Sequence, residues 1–493
     1  MFRSALSSAA SAASRGASAP AATRSLLARS ALPLASSSSV GASAAPLSTS
    51  ATAPIAASAV SAASPTSEPP TQSTFSPDAI YTHEYKMTKF SKFDWEDPFE
   101  IKSLLTEDEI AIQETARAFA QDVLAPKVKE MYRNESWDPT IMPALGEVGL
   151  LGVTIDGYGC AGVSNVAYGL VAREIERVDS GFRSIMSVQS SLAMGAINQF
   201  GSEAQKEKYL PRMAKGELVG CFGLTEPNHG SDPSSMETVA KDTGDGEWIL
   251  NGSKTWISSS PYSDVFVIWA RCPADNKVRG FVLDKDTPGL SSPPIKHKMM
   301  LRASVTGSIF LDNVRVKSSE ALLPHTKPGL GGPFECLNSA RYGISWGSLG
   351  ALEACISEAR QYALDRHQFK KPLAGFQLIQ KTIVDAHSAV AFGLLGSLQV
   401  GRLKDQKVWC PEMVSMVKRN NCGAAVTHAR LLSVEMLRAT STPPAGMLPT
   451  CTSSTLTRAR ATSTGSSSAR PSQACKRLPE SSPVATRHPE SPP

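Results

Sequence analysis

The segments EWIL (247–250), DVFVIWAR (264–271), GFVLD (280–284) and GSIFLDNVRV (307–316) decide the fold of this 493-residue chain. They are short apolar runs rich in Val, Ile, Phe and Trp, and stretches containing Gly, Pro, Asp and Asn separate them. Such runs and breaks are typical of strands joined by turns. The sequence therefore predicts a β domain over residues 219–330.

Helical periodicity flanks this β domain on both sides. Upstream, VSNVAYGLVAREIERV and EAQKEKYLPRMAKGE predict helices in a domain over residues 90–218. Thr106 and Glu109 form a capping-box pattern at the start of another helix, which Pro126 is expected to interrupt. Downstream, long helices are predicted over 334–366, 374–404 and 411–435, in a domain over 331–435. The order helical, β, helical predicts an α+β fold.

Composition narrows the class of protein. The net charge of +5 is modest and forms no basic stripe, so nothing indicates nucleic-acid binding. No uninterrupted apolar run reaches the roughly 20 residues that a membrane-spanning helix needs. The nine cysteines include no CxxC pair and no Cys/His spacing suited to zinc, so no metal site is predicted.

Two polar segments of the β domain predict a binding site. CFGLTEPNHGSDPSS (221–235) and LNGSKTWISSS (250–260) combine small residues with the hydroxyls of Thr225, Ser231 and Ser258. Hydroxyls and backbone amides can hold a planar heterocycle and a diphosphate, and Trp256 offers an aromatic face beside a ring. From the residues alone, two polar hairpin loops explain these segments equally well.

A second motif, GYGCAG (157–162), satisfies the G-x-G-x-x-G pattern, with Glu176 and Asp179 about twenty residues further on. In a dinucleotide-binding fold this motif connects a strand to a helix within a βαβ unit. The surrounding sequence is helical and no βαβ series follows, so a dinucleotide site is disfavoured.

Several longer segments resemble acyl-CoA dehydrogenases. GLTEPNHGSDPSS, NGSKTWIS, LRASVTGSIFLDNVRV and ARYGISWGSLGALEACISEARQYALDRHQFKKPLAGFQLIQ resemble hallmark segments of that family, in matching order. VAREIERVDSGFRSIMSVQSS and GGPFECLNSARYG resemble in particular the branch that acts on glutaryl-CoA. The resemblance runs from about residue 90 to residue 430 and implies a helical domain, a β domain and a C-terminal helical bundle at the centre of a homotetramer.

The resemblance also implies FAD as the cofactor, bound between the β domain and the bundle and partly shared with a neighbouring subunit. The residues that would line the flavin and its phosphates are Phe222, Leu224, Thr225, Gly230 and Ser231, and those that would cover the isoalloxazine ring are Trp256, Ile257 and Ser258. Arg366 and Gln377 would hold the diphosphate and adenine side of the FAD of a partner subunit. His229 departs from the small residue usual at its position.

The substrate implied by the resemblance is glutaryl-CoA. A carboxylate base removes a proton beside the thioester carbonyl, a hydride passes to FAD, and loss of the distal carboxylate as CO2 gives crotonyl-CoA; electrons then pass to electron-transfer flavoprotein. Arg183 suits the distal carboxylate because a guanidinium can bind it bidentately, with Glu176 orienting it. Ser184 and Ser187 would add hydroxyls beside Arg183, Arg341 is a second candidate, facing the substrate near the thioester, and Ser231 is a further substrate-binding candidate.

Two other functions stay open at this point. A short-chain acyl-CoA dehydrogenase would act on monocarboxylic thioesters, which gives Arg183 no partner. A chain that binds FAD or thioester without a catalytic base would not be an enzyme. A peroxisomal acyl-CoA oxidase is disfavoured, because the chain has no C-terminal Ser-Lys-Leu address.

The N-terminal leader predicts import into the mitochondrial matrix. Residues 1–67 contain no Asp or Glu, and their only charged side chains are arginines in an Ala- and Ser-rich background. This composition is typical of a transit peptide, here expected to end before about residue 85; a neutral disordered tail is the alternative. N-terminal sequencing of the protein from purified mitochondria tests this expectation, which an intact Met1 would overturn.

The C-terminal segment, residues 436–493, is rich in Ser, Thr, Pro and Arg and has no apolar period. The resemblance places the catalytic base in a segment like Asn-Thr-Tyr-Glu-Gly-Thr-His-Asp, after a Gly-Gly-Asn-Gly loop, and the chain contains neither. The first acidic residue after Glu435 is Glu480. The catalytic residue is therefore unknown. Two explanations of the segment are open: a natural disordered tail, and translation in a shifted reading frame.

Back-translation favours the frameshift. With ordinary codons, GMLPTCTSSTLTRAR (446–460) read two bases later gives His-Ala-Ala-Asn-Leu-His-Val-Val-Asn-Thr-Tyr-Glu-Gly-Thr. The codon of the base would then straddle Thr457 and Arg458. The same shift turns SSSARPSQA (466–474) into a sequence close to Ile-Leu-Gly-Arg-Ala-Ile-Thr-Gly. Two family-like segments thus arise in one frame and in family order.

We predict that sequencing the transcript across residues 430–493 will show a frame that restores the Glu-containing segment. The restored protein should dehydrogenate glutaryl-CoA, whereas the chain as given should be about 10²–10⁴-fold slower because it lacks a general base. A transcript in the present frame, together with a normal rate for the present chain, would contradict the prediction.

Overall fold

A computed structural model describes residues 91–438 of the chain, and the described part consists of helices before and after a mixed sheet. The helices that precede the sheet are α1 (Glu107–Phe119), α2 (Ala125–Asn134), α3 (Ile141–Glu147), α4 (Asn165–Val178), α5 (Ser180–Ser187), α6 (Gly195–Phe200) and α7 (Glu203–Ala214). The predicted leader, residues 1–85, and the tail from residue 439 onward lie outside the described residues.

The eight strands of the main sheet lie between Gly220 and Lys317, inside the region predicted to be β. They are β1 (Gly220–Gly223), β2 (Val239–Asp242), β3 (Glu247–Ser258), β4 (Val265–Arg271), β5 (Val278–Asp284), β6 (Leu290–Ser291), β7 (Pro294–Ile295) and β8 (Thr306–Lys317). The elements after them are α8 (Ser318–Ala321), α9 (Gly331–Asp365), β9 (His367–Gln368), β10 (Lys371–Pro372), α10 (Gln377–Asp405) and α11 (Pro411–Arg438). The predicted α+β fold is confirmed.

The start of α1 follows the predicted capping box. The Thr106 hydroxyl accepts from the Glu109 backbone N–H at 3.2 Å, and the Glu109 carboxylate accepts from the Thr106 N–H at 3.0 Å. The predicted interruption at Pro126 is wrong, because a π-helical turn, Ala120–Leu124, carries the helix on into α2. Pro126 then occupies the first turn of α2, where a missing N–H costs little.

The sheet has the order β1-β4-β2-β3-β8-β6, with β5 paired to β4 and β7 paired to β8. Its pairs are antiparallel except for β1 with β4 and β2 with β4. Residues 157–162 lie in a loop that neither follows a strand nor belongs to a βαβ unit. The dinucleotide-binding alternative for GYGCAG is therefore excluded.

β3 and β8 form a long antiparallel pair, and the candidate site lies at one end of it. It runs from Glu247 opposite Lys317 to Ser258 opposite Thr306, with a register shift between Lys254 and Ile257. The segment NGSKTWIS thus belongs to a strand, and the hairpin-loop interpretation of this segment is wrong. The apolar alternation typical of a strand is hidden in this segment, because the buried Lys254 occupies one of the inward-facing positions.

Three long helices, α9, α10 and α11, follow the sheet and correspond to those predicted from periodicity. The largest buried side chains of α9 include Tyr342 and Trp346. By length and composition α10 could cross a membrane, yet 44% of its apolar window is buried in the protein, as in the core helix of a bundle.

Close packing between α9 and α4 depends on glycine. A Cβ at Gly350 would lie 2.1 Å from the carbonyl oxygen of Arg173, and a Cβ at Gly347 would lie 1.9 Å from the carboxylate of Glu176. The first contact is with backbone, which cannot rotate away. The two helices therefore approach more closely than side chains at these positions would allow.

We predict that Gly350→Ala lowers the free energy of unfolding by about 1–3 kcal/mol, because the new methyl group overpacks the α4 backbone. Gly423→Ala is the matched control: this glycine also lies inside a helix, α11, but nothing lies within 4 Å of its missing Cβ. There alanine should be neutral or stabilise by up to about 1 kcal/mol. Equal thermal unfolding midpoints for the two variants would contradict this account.

Candidate functional site

The two polar segments of the β domain meet in space at the end of β1 and β3. The backbone N–H of Thr255 donates to the carbonyl oxygen of Thr225 at 2.9 Å. After Thr225 the chain turns tightly, with backbone hydrogen bonds in both directions between Glu226 and His229. This loop, residues 224–231, is named the β1 loop below.

Trp256 lies at the β-bulge of β3 and is turned out of the sheet. Its φ of +59° is in the left-handed region, which is unfavourable for a bulky side chain, and 61% of its surface is exposed. Bulges of this kind re-aim side chains beside binding sites. The indole therefore offers an open aromatic face next to the β1 loop.

The other candidate flavin residues differ in accessibility. Phe222, Leu224 and Ile257 are buried, Thr225 and Ser258 are half-buried, and Gly230 and Ser231 are exposed. Phe222 packs on Trp269, with 5.8 Å between ring centroids. Of this set, only the half-buried and exposed members have side-chain or backbone groups that can reach a ligand directly.

The donors at this edge fit a flat heterocycle and a diphosphate. Within the described residues, the backbone N–H groups of Gly230 and Ser231 have no acceptor, and both residues are exposed, while the Thr225 hydroxyl is half-buried. Free N–H groups and hydroxyls bind phosphate oxygens, while Trp256 can cover a ring. This arrangement fits FAD.

His229, which departs from the family pattern, folds back onto the sheet. Its Nε2 lies 3.1 Å from the carboxylate of Glu237. Possible ligand atoms of Glu226, His229 and Glu237 lie within 4.8 Å of one another. However, the Glu226 carboxylate already accepts hydrogen bonds from Lys254 and from two backbone N–H groups, so we assign no metal to this cluster.

The candidate substrate residues of the helical domain form a buried ion pair. The guanidinium of Arg183 donates to the Glu176 carboxylate through Nε at 2.5 Å and Nη2 at 3.3 Å, and Ser180 adds a third hydrogen bond at 2.6 Å. Burial lowers the pKa of Arg183, but the charge of Glu176 outweighs burial and raises it. Arg183 therefore stays cationic inside the protein.

Two donors beside this ion pair have no partner within the described residues: Nη1 of Arg183 and the hydroxyl of Ser184, both buried. Ser187, by contrast, accepts a hydrogen bond from Tyr168 at 3.3 Å. A buried donor without an acceptor is costly, so such groups usually mark a ligand site. Nη1 and the Ser184 hydroxyl are each able to donate a hydrogen bond to an oxygen atom.

Of the remaining predicted site residues, Arg341 lies on α9, Arg366 directly follows α9, and Gln377 begins α10. Arg341 is half-buried, donates to Asn338 at 3.2 Å, and has a pKa lowered by burial. Arg366 and Gln377 are exposed beyond the other end of α9. At 1.5 Å per helical residue, about 37 Å separates Arg341 from Arg366. The fold therefore does not bring Arg366 and Gln377 to the site of their own subunit.

Asp179, noted in the sequence only as an acidic residue after the GYGCAG motif, caps α5. Its carboxylate accepts from the Gly181 N–H at 2.6 Å, while its other oxygen is buried and has no partner within the described part of the chain. Burial raises the pKa of Asp179 to about 7. An ordinary helix-cap pattern, Asp before Ser-Gly, hid this residue, and only the buried surroundings set it apart.

Comparisons with known proteins match three successive parts of the described chain to the domains of one family. Residues 106–217, 221–314 and 329–436 match, in turn, the N-terminal, middle and C-terminal domains of acyl-CoA dehydrogenases. A mitochondrial short-chain specific acyl-CoA dehydrogenase of Rattus norvegicus is 31% identical, over 66% of this chain and 80% of its own length.

Two solved structures of glutaryl-CoA dehydrogenase from Mycobacterium smegmatis are also similar. One is 46% identical with a TM-score of 0.67, covering 70% of this chain and 88% of the other. The other, a complex with FADH2, is 38% identical with a TM-score of 0.70, covering 76% and 94%.

We predict that Asp179→Asn becomes progressively more stabilising, relative to the natural chain, between pH 5 and pH 8. The folded-state pKa of about 7 lies above the unfolded value, so ionisation of Asp179 costs stability as the pH rises towards 7, at most about 1.4 kcal/mol per pH unit. Asparagine keeps the cap without the charge. Thermal unfolding at several pH values measures the difference.

The matched control is Asp245→Asn at an exposed turn. The hydroxyl of Thr243 lowers the pKa of Asp245, so its effect should be constant from pH 5 to pH 8. A stability difference for Asp179→Asn that does not change with pH would contradict the prediction.

Proposed function

Because the chain belongs to the acyl-CoA dehydrogenase family and uses FAD, we propose that it oxidatively decarboxylates glutaryl-CoA to crotonyl-CoA and CO2 in the mitochondrial matrix. The observation that carries the choice of substrate is the buried guanidinium of Arg183, one nitrogen of which has no acceptor within the described residues. A saturated monocarboxylic acyl chain would leave that nitrogen unsatisfied.

Arg183 would recognise the distal carboxylate of the substrate. Nη1 and the Ser184 hydroxyl offer two donors to it, while Glu176 holds the guanidinium plane through two hydrogen bonds. Pre-orientation of this kind reduces the entropy lost on binding. In a water-poor pocket a charge-assisted hydrogen bond discriminates strongly between a carboxylate and a methyl group.

FAD would supply the redox chemistry by accepting the hydride. The β1 loop and the bulge at Trp256 would bind and orient it, with the N–H groups of Gly230 and Ser231 and the hydroxyl of Thr225 facing its phosphates. Trp256 would exclude water from one edge of the ring. The base that takes the proton beside the thioester carbonyl would belong to the Glu-containing segment that the proposed frameshift removes.

A short-chain acyl-CoA dehydrogenase is the second candidate function, because the Rattus norvegicus enzyme is 31% identical. Two features favour glutaryl-CoA: the higher identity, 46%, to a glutaryl-CoA dehydrogenase structure, and the buried Arg183. If the tail is the natural one, the chain is a non-catalytic member of the family. Flavin reduction by glutaryl-CoA without oxygen separates these three cases.

We further propose a homotetramer that passes electrons to electron-transfer flavoprotein. Exposed apolar side chains support assembly: Phe369 is 87% exposed and Leu378 is 74% exposed, close in sequence to Arg366 and Gln377. Contact with a second subunit would cover these side chains and bring Arg366 and Gln377 to the FAD of the partner. Mass measurement by light scattering tests the tetramer.

We predict that removal of Arg183 weakens glutaryl-CoA binding far more than butyryl-CoA binding. Arg183→Ala alone would strand the buried Glu176 carboxylate, so the sharper variant is Arg183→Gln with Glu176→Gln, which removes both charges and leaves an amide pair. The expected loss for glutaryl-CoA is about 2–5 kcal/mol, with little change for butyryl-CoA. Equilibrium dialysis measures both affinities and needs no catalytic base.

Arg177→Gln is the control, because Arg177 lies on α4 but pairs with Glu353, at 3.4 Å. It should leave the ratio of the two affinities unchanged. Equal losses for glutaryl-CoA and butyryl-CoA in the paired variant would remove Arg183 from this role.

A further inference from the structure

A second buried ion pair lies directly beneath the β1 loop. The ammonium group of Lys254, on β3, donates to the Glu226 carboxylate at 2.8 Å and to the carbonyl oxygen of Leu224 at 3.3 Å. The side chains of Lys254 and Glu226 are 0% and 2% exposed. Both partners are therefore isolated from water, unlike the surface ion pairs elsewhere on the sheet.

The carboxylate of Glu226 also joins the start of β2 to this pair. It accepts from the backbone N–H of Glu237 at 2.5 Å and from that of Thr238 at 2.9 Å. Three separate segments, the β1 loop, β2 and β3, thus converge on one carboxylate. Glu237 in turn contacts the imidazole of His229, so the far end of the β1 loop is tied to the same cluster.

The position of Lys254 along β3 links this cluster to the bulge. Lys254 is the last residue in register before the shift that ends at Ile257, and Trp256 lies within that shift. The next residue, Thr255, donates its N–H to Thr225 on the β1 loop. Any movement of the ion pair would therefore change the spacing between the β1 loop and Trp256.

Burying two charges is costly, and an apolar pair of similar volume is often as stable. Stability alone thus gives little reason for an ion pair here, whereas a fixed distance between three segments does. We propose that Lys254 and Glu226 are positioning residues of the flavin site, which hold the β1 loop at the spacing from Trp256 that FAD binding requires.

The charge state of the pair agrees with this role. Burial raises the pKa of Glu226, but the Lys254 ammonium and the N–H donors outweigh burial and lower it. Burial lowers the pKa of Lys254 to about 8, against the opposing effect of Glu226. Near neutral pH both groups are ionised, so the hydrogen bonds described above are charge-assisted.

The test compares Glu226→Gln and the double variant Glu226→Gln with Lys254→Met against Arg279→Met. Arg279, on β5 of the same sheet, pairs at 2.8 Å with Asp275 in the exposed turn before that strand. The full chain is used throughout. Flavin fluorescence during titration of FAD into apoprotein gives the dissociation constant, and hydrogen exchange of residues 224–231 without FAD reports the loop itself.

Both pair variants should raise the FAD dissociation constant by about tenfold or more and speed exchange in the β1 loop to a similar extent, while Arg279→Met changes neither by more than about twofold. If the natural chain binds no FAD, the hydrogen-exchange measurement alone tests whether the ion pair positions the β1 loop. Unchanged exchange in folded pair variants overturns the proposal. Loss of folding in both pair variants, seen by circular dichroism, also rejects it, because the pair would then maintain the whole domain.

Discussion

The close approach of α4 and α9 is the constraint on which the rest of the structure depends. Gly343, Gly347 and Gly350 lie on one face of α9, and in each case the missing Cβ leaves space for an atom of a neighbouring residue. At Gly347 that atom is the carboxylate oxygen of Glu176. The backbone of α9 therefore covers the Arg183 ion pair and keeps water from it.

Burial determines how strongly the Arg183 ion pair can interact with a further anion. In a solvated cleft an arginine paired to a glutamate would attract other anions only weakly. Its remaining nitrogen would be hydrogen-bonded to water. Inside the protein the same nitrogen has no partner among the described residues, so a carboxylate placed beside it would gain a charge-assisted hydrogen bond. The substrate preference proposed for Arg183 thus originates in the packing of two helices.

The Arg183–Glu176 and Lys254–Glu226 ion pairs act differently. The Arg183 pair leaves a donor available, as a binding site requires. The carboxylate of the Lys254 pair is fully engaged by an ammonium and two backbone N–H groups, as a structural joint requires. The same electrostatic interaction can therefore serve recognition or geometry, depending on whether its hydrogen-bonding groups are satisfied.

Much of the fold could be predicted because the apolar period changes where the structure changes. The long helices and the capping box at Thr106 follow from local sequence. The strand through NGSKTWIS and the continuation of the helix past Pro126 could not be predicted, because a buried charge and a π-turn have no periodic signature. The family resemblance makes Arg183 a candidate substrate residue, whereas the unusual setting of Asp179 follows only from its burial.

The π-helical segment Val188–Met194, between α5 and α6, fixes how α5 is rotated about the helix axis relative to α6. A π-turn contains one residue more than an α-helix needs over the same rise. Deleting one residue there would leave a continuous helix, but would rotate α5 relative to α6 by about 100°. Arg183 would then turn away from Glu176, so the length of this segment, as well as its composition, fixes the geometry of the buried ion pair.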